Sequence, residues 1–270
     1  MPAEGQGGYQ MKAVRTDSEL ECPGIDAGLR ARGVELVTVS DGIAEADLAA
    51  AVADADLLLM CYTPVTARVI DAAPKLRGIV KYGVGIDAID IKAATRRGIP
   101  LVNVPEYAEE TVAEGAFALM IALAKRLPGI TAAVAREGWI WPEQRWLGRD
   151  ISGATLGLVG CGKIGRSMAR MAGLGFRARV LGFDPNADTA TMRQAGIEKV
   201  DDLRAMLGAC DFVSIHCVLN EATRGLIGRW ELAAMKPSAI LVNVSRGALV
   251  DELALVEAVV GNRLGGVGLD

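Results

Sequence analysis

Three glycines spaced as Gly160-x-Gly162-x-x-Gly165 lie in Thr155-Leu156-Gly157-Leu158-Val159-Gly160-Cys161-Gly162-Lys163-Ile164-Gly165, after an apolar run and before an Ala- and Met-rich stretch of helical period. Glycine is common here, 32 of 270 residues, so the spacing alone says little. Its place between strand and helix gives the glycines distinct physical roles, namely a tight turn, close backbone approach to a pyrophosphate, and close helix–strand packing. The helix that opens at Lys163 and Ile164 presents backbone N–H groups and its positive dipole end to phosphate. The next apolar run ends at Asp184, 19 residues after Gly165. An acidic side chain at that point accepts hydrogen bonds from ribose hydroxyls and repels a 2′-phosphate, which favours NAD over NADP.

Other chemistries find less support. Five cysteines, Cys22, Cys61, Cys161, Cys210 and Cys217, show no CxxC spacing and no even framework, so they read as reduced, mostly buried small residues. No metal site is expected. Charges nearly balance, 29 basic against 33 acidic for a net of −4, which offers no grip on nucleic acid or an anionic membrane. With 51% hydrophobic and 23% charged residues, the composition excludes disorder, collagen and a small disulfide scaffold. The longest purely apolar run, Ala116 to Ala124, has 9 residues, about half of what a bilayer requires. Met1–Gly8 lacks the basic start and apolar stretch of a secretory signal. It reads as a loose tail, and a cytoplasmic setting is expected.

The elements that must position these residues alternate along the chain. Apolar runs at 12–15, 34–39, 57–61, 78–82 and 101–104 read as strands, with helix-like pieces such as 45–53 and 90–97 between them. Runs that are continuously apolar, rather than alternating, belong in parallel sheets covered on both faces. A long helical segment from Glu106 to Arg126 ends at Leu127-Pro128-Gly129, before a loop-like region with three of the four tryptophans, Trp139, Trp141 and Trp146. Strand-like runs then return at 156–159, 179–183, 212–216, 240–244 and 266–269. The expected fold class is α/β, with two doubly wound parallel-sheet domains: 1–104 for substrate, and 105–270 as a Rossmann dinucleotide-binding domain. The tryptophan loop is read as packing or subunit contact.

Four motifs resemble those of the D-isomer-specific 2-hydroxyacid dehydrogenases: Lys81-Tyr82-Gly83-Val84-Gly85-Ile86-Asp87, Thr111-Val112-Ala113-Glu114, the glycine segment, and Asn243-Val244-Ser245-Arg246-Gly247 followed by Val250-Asp251-Glu252. The resemblance runs from Met11 to Asp270. It implies that backbone N–H groups of the loop at Val84 and Gly85 hold a substrate carboxylate. It also implies that Lys163 and Ile164 face the pyrophosphate and that Cys217 lies beside the adenosine half. Val244, Ser245 and Arg246 reach the nicotinamide side, and Asp270 contacts the carboxamide. Arg246 matches the catalytic arginine, whose planar guanidinium holds the carboxylate and polarises the C2 oxygen together.

By the same resemblance, a histidine takes the hydroxyl proton while a hydride leaves C2, and a glutamate raises that histidine's pKa. In the family both follow the aspartate matched by Asp270, where the sequence as given ends. His216, the sole histidine, matches a segment on the adenosine side and is read as structural. The family usually carries proline where Val218 stands. Phosphoglycerate-specific members commonly place an arginine after the third strand, but Met60-Cys61-Tyr62-Thr63-Pro64 holds no cation. An unphosphorylated acid therefore gains weight, unless Arg145 or Arg149 supplies the charge. Tyr62 lines the pocket as a hydrogen-bonding wall or simply packs. The expected function is hydride transfer between NAD(H) and a small anionic D-2-hydroxy or 2-keto acid, with D-3-phosphoglycerate among the candidates. The alternative is a non-catalytic NAD(H)-sensing regulatory protein on the same fold. A homodimer is expected, because the long helix and the tryptophans need covering.

Overall fold

The structure, a computed structural model, describes residues 9–270; the tail expected at Met1–Gly8 lies outside the described residues. The chain divides into two compact units, Met1–Tyr107 and Ala108–Asp270, where the sequence placed the division near residue 105.

The first unit holds five strands: β1 (Lys12–Arg15), β2 (Glu35–Thr38), β3 (Leu57–Met60), β4 (Gly78–Lys81) and β5 (Leu101–Val102). They pair in the order β2-β1-β3-β4-β5, every pair parallel. Strands β3 and β4 read Leu-Leu-Leu-Met and Gly-Ile-Val-Lys, continuously apolar because helices 45–51, 67–71 and 91–96 cover the sheet. Val14, Leu58, Met60, Val69, Ile70 and Ile79 are fully buried there.

The second unit holds β6 (Thr155–Val159), β7 (Arg179–Phe183), β8 (Glu198–Lys199), β9 (Phe212–Ile215), β10 (Ile240–Asn243) and β11 (Gly266–Leu269). Their order is β11-β10-β9-β6-β7-β8, again all parallel. That is the doubly wound dinucleotide-binding arrangement, with its change of direction between β6 and β9. The register matters most. Val159 lies opposite both Phe183 and Ile215, and Ile215 lies opposite Asn243. Four strands therefore end level, and the residues that follow them share one edge.

The long helix corrects the sequence reading. The expected segment from Glu106 to Arg126 is helical over Glu109–Ala124, and Leu127–Glu137 forms a second helix rather than the start of a loop. Arg126 breaks the chain at φ 55° and Pro128 falls in the first turn, where a missing N–H costs nothing. The proline that read as a stop is a start. The two helices meet at 60°, and no single helix among the described residues is long and apolar enough to cross a membrane. The expected strands at 34–39 and 101–104 are each two residues shorter, pairing over Glu35–Thr38 and Leu101–Val102.

Candidate functional site

The three glycines of the turn after β6 divide into two the fold requires and one that leaves space. Gly160 has φ +95°, and a Cβ there would stand 2.5 Å from the Cys217 nitrogen. A Cβ on Gly165 would overlap the Gly160 carbonyl oxygen. Gly162 is different: a Cβ there would meet nothing within 4 Å. Gly162 is also the N-cap of helix Lys163–Arg170, and no side chain caps that end. An uncapped helix start behind an open glycine is the arrangement a pyrophosphate fits.

Asp184 lies half-buried at the end of β7, beside this turn. Its Oδ2 accepts from the Cys161 N–H at 2.9 Å, and Oδ1 accepts from Asn186 and Ala187 at 2.9 and 3.1 Å. The carboxylate therefore fastens the glycine turn to β7. With about four lone-pair positions it retains capacity for a ribose hydroxyl. The sequence pointed to the ribose role and missed the structural one.

On the other side of the turn, His216 and Cys217 follow β9. His216 Nε2 is 2.9 Å from Ser214 Oγ, and Nδ1 is buried with no partner. Burial pushes the imidazole down to about 4, so it is neutral at neutral pH and unsuited to holding a catalytic proton. Burial likewise pushes the Cys161 thiol up to about 12 and the Cys217 thiol up to about 11. Both are protonated, and neither is a nucleophile. The segment 244–246 is fixed by Asn243, whose Nδ2 donates to the Arg246 carbonyl at 2.9 Å and whose Oδ1 accepts from Ser245 N at 3.0 Å. Ser245 Oγ donates to the Ile215 carbonyl at 3.1 Å, tying this turn to β9. Val244 is half-buried, the Arg246 side chain is exposed, and Asp270 N donates to the Asn243 carbonyl at 3.2 Å. Gly160, Gly162, Lys163, Ile164, Gly165, Asp184, Cys217, Val244, Ser245, Arg246 and Asp270 thus share the carboxyl edge of one sheet. Among the described residues no group of three or more His, Cys, Asp or Glu could hold a metal ion.

The first unit is built around a residue the sequence did not single out. Asp17, 3% exposed and at φ 58°, follows β1. Its carboxylate accepts from Thr16 Oγ1 at 2.6 Å, Cys61 N at 2.8 Å, Tyr62 N at 3.1 Å, and Thr63 N and Oγ1 at 3.1 and 3.0 Å. Burial alone would raise this carboxyl, but the hydrogen bonds outweigh it and hold the group below its usual value. The Tyr62 side chain, 75% exposed, stands on this anchored turn. Lys81 ends β4 and is 5% exposed; its Nζ donates to the Cys61 carbonyl and lies 5.2 Å from the Tyr62 ring centre. After it comes the loop at Val84 and Gly85. Val84 is partly exposed, and its carbonyl accepts from Asn103 Nδ2 at 2.8 Å. Sequence offered little for Asp17, one of three acidic residues within six positions of the end of β1; for Lys81 it offered only membership of a motif.

The two arginines weighed as phosphate partners lie elsewhere in their unit. Arg145 pairs with Glu143 at 2.9 Å and stacks on Trp146. Arg149 acts electrostatically on Asp211, which precedes β9 at the amino edge of the sheet. Neither is at the carboxyl edge where Gly160, Asp184 and Arg246 gather.

An α/β unit whose glycine turn and uncapped helix lie at a sheet's change of direction is a dinucleotide-binding domain. Residues 117–270 match the family described as "D-isomer specific 2-hydroxyacid dehydrogenase, NAD binding domain". The chain is 38% identical over 235 residues to the D-3-phosphoglycerate dehydrogenase of Methanocaldococcus jannaschii, covering 87% of this chain and 44% of that protein. It is 43% identical over 222 residues to the glyoxylate reductase of Korarchaeum cryptofilum, covering 81% of this chain and 66% of the relative. A D-lactate dehydrogenase from Aquifex aeolicus, solved with NAD and lactic acid, is similar at TM-score 0.84 and 27% identity, over 96% of this chain and 76% of that one. The chain belongs to the D-isomer-specific 2-hydroxyacid dehydrogenase family, and its second unit is the family's NAD-binding domain. It spans 44% of the length of the phosphoglycerate dehydrogenase it matches.

Proposed function

We propose that this protein is an NAD-dependent oxidoreductase acting on a small anionic D-2-hydroxy or 2-keto acid. The observation that carries the reading is the shared edge of the second sheet. There the phosphate-binding turn, the acidic group after β7 and Arg246 follow strands that end in register. The bound cofactor supplies hydride transfer at its nicotinamide. The chain's own residues hold and polarise the reactants, and the proton that completes the reduction falls to the family's histidine. The first turn of helix Lys163–Arg170 binds the pyrophosphate, and Asp184 takes the ribose hydroxyls. Cys217 flanks the adenosine, while Val244, Ser245 and Asp270 orient the nicotinamide. Val84 and Gly85 bind the substrate carboxylate through backbone N–H groups, and Tyr62 lines that site. The Arg246 guanidinium bonds the carboxylate and the C2 oxygen, drawing charge onto that oxygen as the carbonyl accepts hydride. His216 takes no part in proton transfer.

We also propose a cytoplasmic homodimer. Trp139 and Trp141 are 85% and 76% exposed, and a second copy of the chain would cover them. Light scattering at micromolar concentration reads the dimer mass; a monomer overturns this part.

The test is turnover of the complete gene product with NADH on glyoxylate, hydroxypyruvate, pyruvate and phosphohydroxypyruvate, alongside NADH affinity. At least one keto acid is reduced, and the best of the four names the substrate. Arg246→Lys lowers turnover on the order of 100-fold or more while NADH affinity moves less than about threefold. Tight NADH binding without turnover on any acid would overturn the enzyme and leave a sensor.

A further inference from the structure

Lys81 carries an unexplained charge. Its side chain is nine-tenths or more buried at the end of β4, yet among the described residues it forms no ion pair. Its ammonium donates to the Cys61 carbonyl, lies 3.2 Å from Cys61 Sγ, and faces the Tyr62 ring at 5.2 Å. A carbonyl, a thiol and an aromatic face carry no compensating negative charge. Burying an ammonium without a counter-ion is costly, and packing alone does not return that cost. The ammonium also presses on the loop that follows. A Cβ on Gly83 would stand 2.8 Å from Nζ and 3.1 Å from Cε, so a side chain at position 83 would have to displace the tip of the lysine.

The loop itself is short of acceptors. The backbone N–H groups of Gly83, Val84, Gly85 and Ile86 donate to no protein acceptor among the described residues, whereas the carbonyls of Gly83 and Val84 are both taken, by Val104 N and Asn103 Nδ2. Four successive unspent donors and a buried cation without a counter-ion adjoin one another at the carboxyl edge of a parallel sheet. That is the edge at which such sheets bind ligands, and both features attract the same sign of charge.

We propose that Lys81 is the counter-cation of the substrate carboxylate, a positioning residue that acts from beneath the loop rather than by contact. Cys61 and Gly83 hold the ammonium in place, and its field adds to the dipoles of the loop N–H groups above it. The carboxylate that docks on those N–H groups supplies the missing negative charge. The empty protein bears the cost of the buried charge and the anion relieves it, so affinity gains what stability forgoes. This inference rests on the reading of the 83–85 loop as the carboxylate site.

The experiment uses the complete gene product with NADH bound and titrates oxamate, a non-reducible 2-keto-acid analogue, by calorimetry. Lys81→Met weakens oxamate about tenfold or more, leaves NADH affinity unchanged, and keeps or raises the melting temperature, since an apolar side chain replaces an unpaired buried charge. Lys81→Gln, which keeps a donor for the Cys61 carbonyl without the charge, shows the same loss. Lys81→Arg, which keeps the charge, recovers part of it. Oxamate affinity unchanged in Lys81→Met or Lys81→Gln overturns the proposal while leaving the dehydrogenase reading intact. Lys81-dependent oxamate binding by a wild-type protein that reduces no keto acid does the opposite, sparing Lys81 and removing the dehydrogenase. If Lys81 were only structural, both neutral variants would lose melting temperature with no selective loss of oxamate.

Discussion

The two sheets obey one winding rule and treat its consequence in opposite ways. In each, the strand order reverses beside the first strand, between β1 and β3 or between β6 and β9, and that reversal opens a crevice at the carboxyl edge. In the second unit the crevice is kept open. Gly160 lets the turn close against Cys217, Gly162 leaves empty space, and the helix start stays uncapped. In the first unit the same place is filled by Asp17, whose carboxylate collects the N–H groups of Cys61, Tyr62 and Thr63. Asp17 stands where the glycine turn stands in the second unit, and it reaches across the reversal to close on the amides that follow β3. The anion site proposed for the first unit lies one strand along, on the loop after β4. A fold supplies a site only where its sequence declines to fill it.

The largest effects should come from breaking each crevice by its own device. Gly160→Ala forces a side chain into φ +95° and against the Cys217 backbone, and NADH affinity should fall beyond about 100-fold by titration. Asp17→Ala leaves the N–H groups of Cys61, Tyr62 and Thr63 without their acceptor, the buried Cys61 and Thr63 groups at about 1–3 kcal/mol each. Denaturant unfolding should register a loss of about 3 kcal/mol or more, with NADH affinity in the surviving folded protein unchanged. An Asp17→Ala variant of wild-type stability would show that the first crevice is not held shut by this carboxylate.

Acid should separate the units next. The folded-state pKa of His216 is about 4 against its ordinary 6.5. The unfolded chain therefore binds the extra proton first, and stability falls as pH drops from about 6.5 to about 4. Asp17 has a folded pKa below its ordinary 3.8. Its contribution is complete above that value and is lost only as pH falls below it through the folded value. Urea unfolding between about pH 7 and about pH 4 should thus lose stability through His216, and His216→Gln should flatten that slope while Asp17→Asn should not.

Gly162→Ala sharpens the contrast within the second unit. The new methyl touches nothing in the protein, so melting should not change, while NADH weakens roughly tenfold or more because the methyl occupies the pyrophosphate's approach. Equal melting and equal affinity would show that the open space is not where phosphate lies. The smallest effect is a change of preference: Asp184→Ala should weaken NADH several-fold and bring NADPH closer to it, read as the ratio of the two affinities.

Much of the second unit was legible because its signals are local. A strand, a glycine turn and a helix start occupy eleven consecutive residues, and Asp184 follows at a fixed remove. The first unit hides its logic in separation: Asp17 meets residues 44 to 46 positions away, a relation no short motif encodes. Lys81 belongs to a recognisable motif, yet its burial beside Gly83 is a fact of packing. Helix Leu127–Glu137 was missed because a proline that reads as a helix stop also fits the first turn of a new helix. Strand β8, Glu198–Lys199, was missed because two polar residues at a sheet's rim carry no apolar run.

Hydrogen exchange with and without NADH tests the contrast most directly. The account predicts new protection in the peptides carrying 160–165, 184–187, 216–218 and 244–246, and none at 61–63, whose amides Asp17 already holds. Protection by NADH at 61–63 without protection at 160–165 would contradict it.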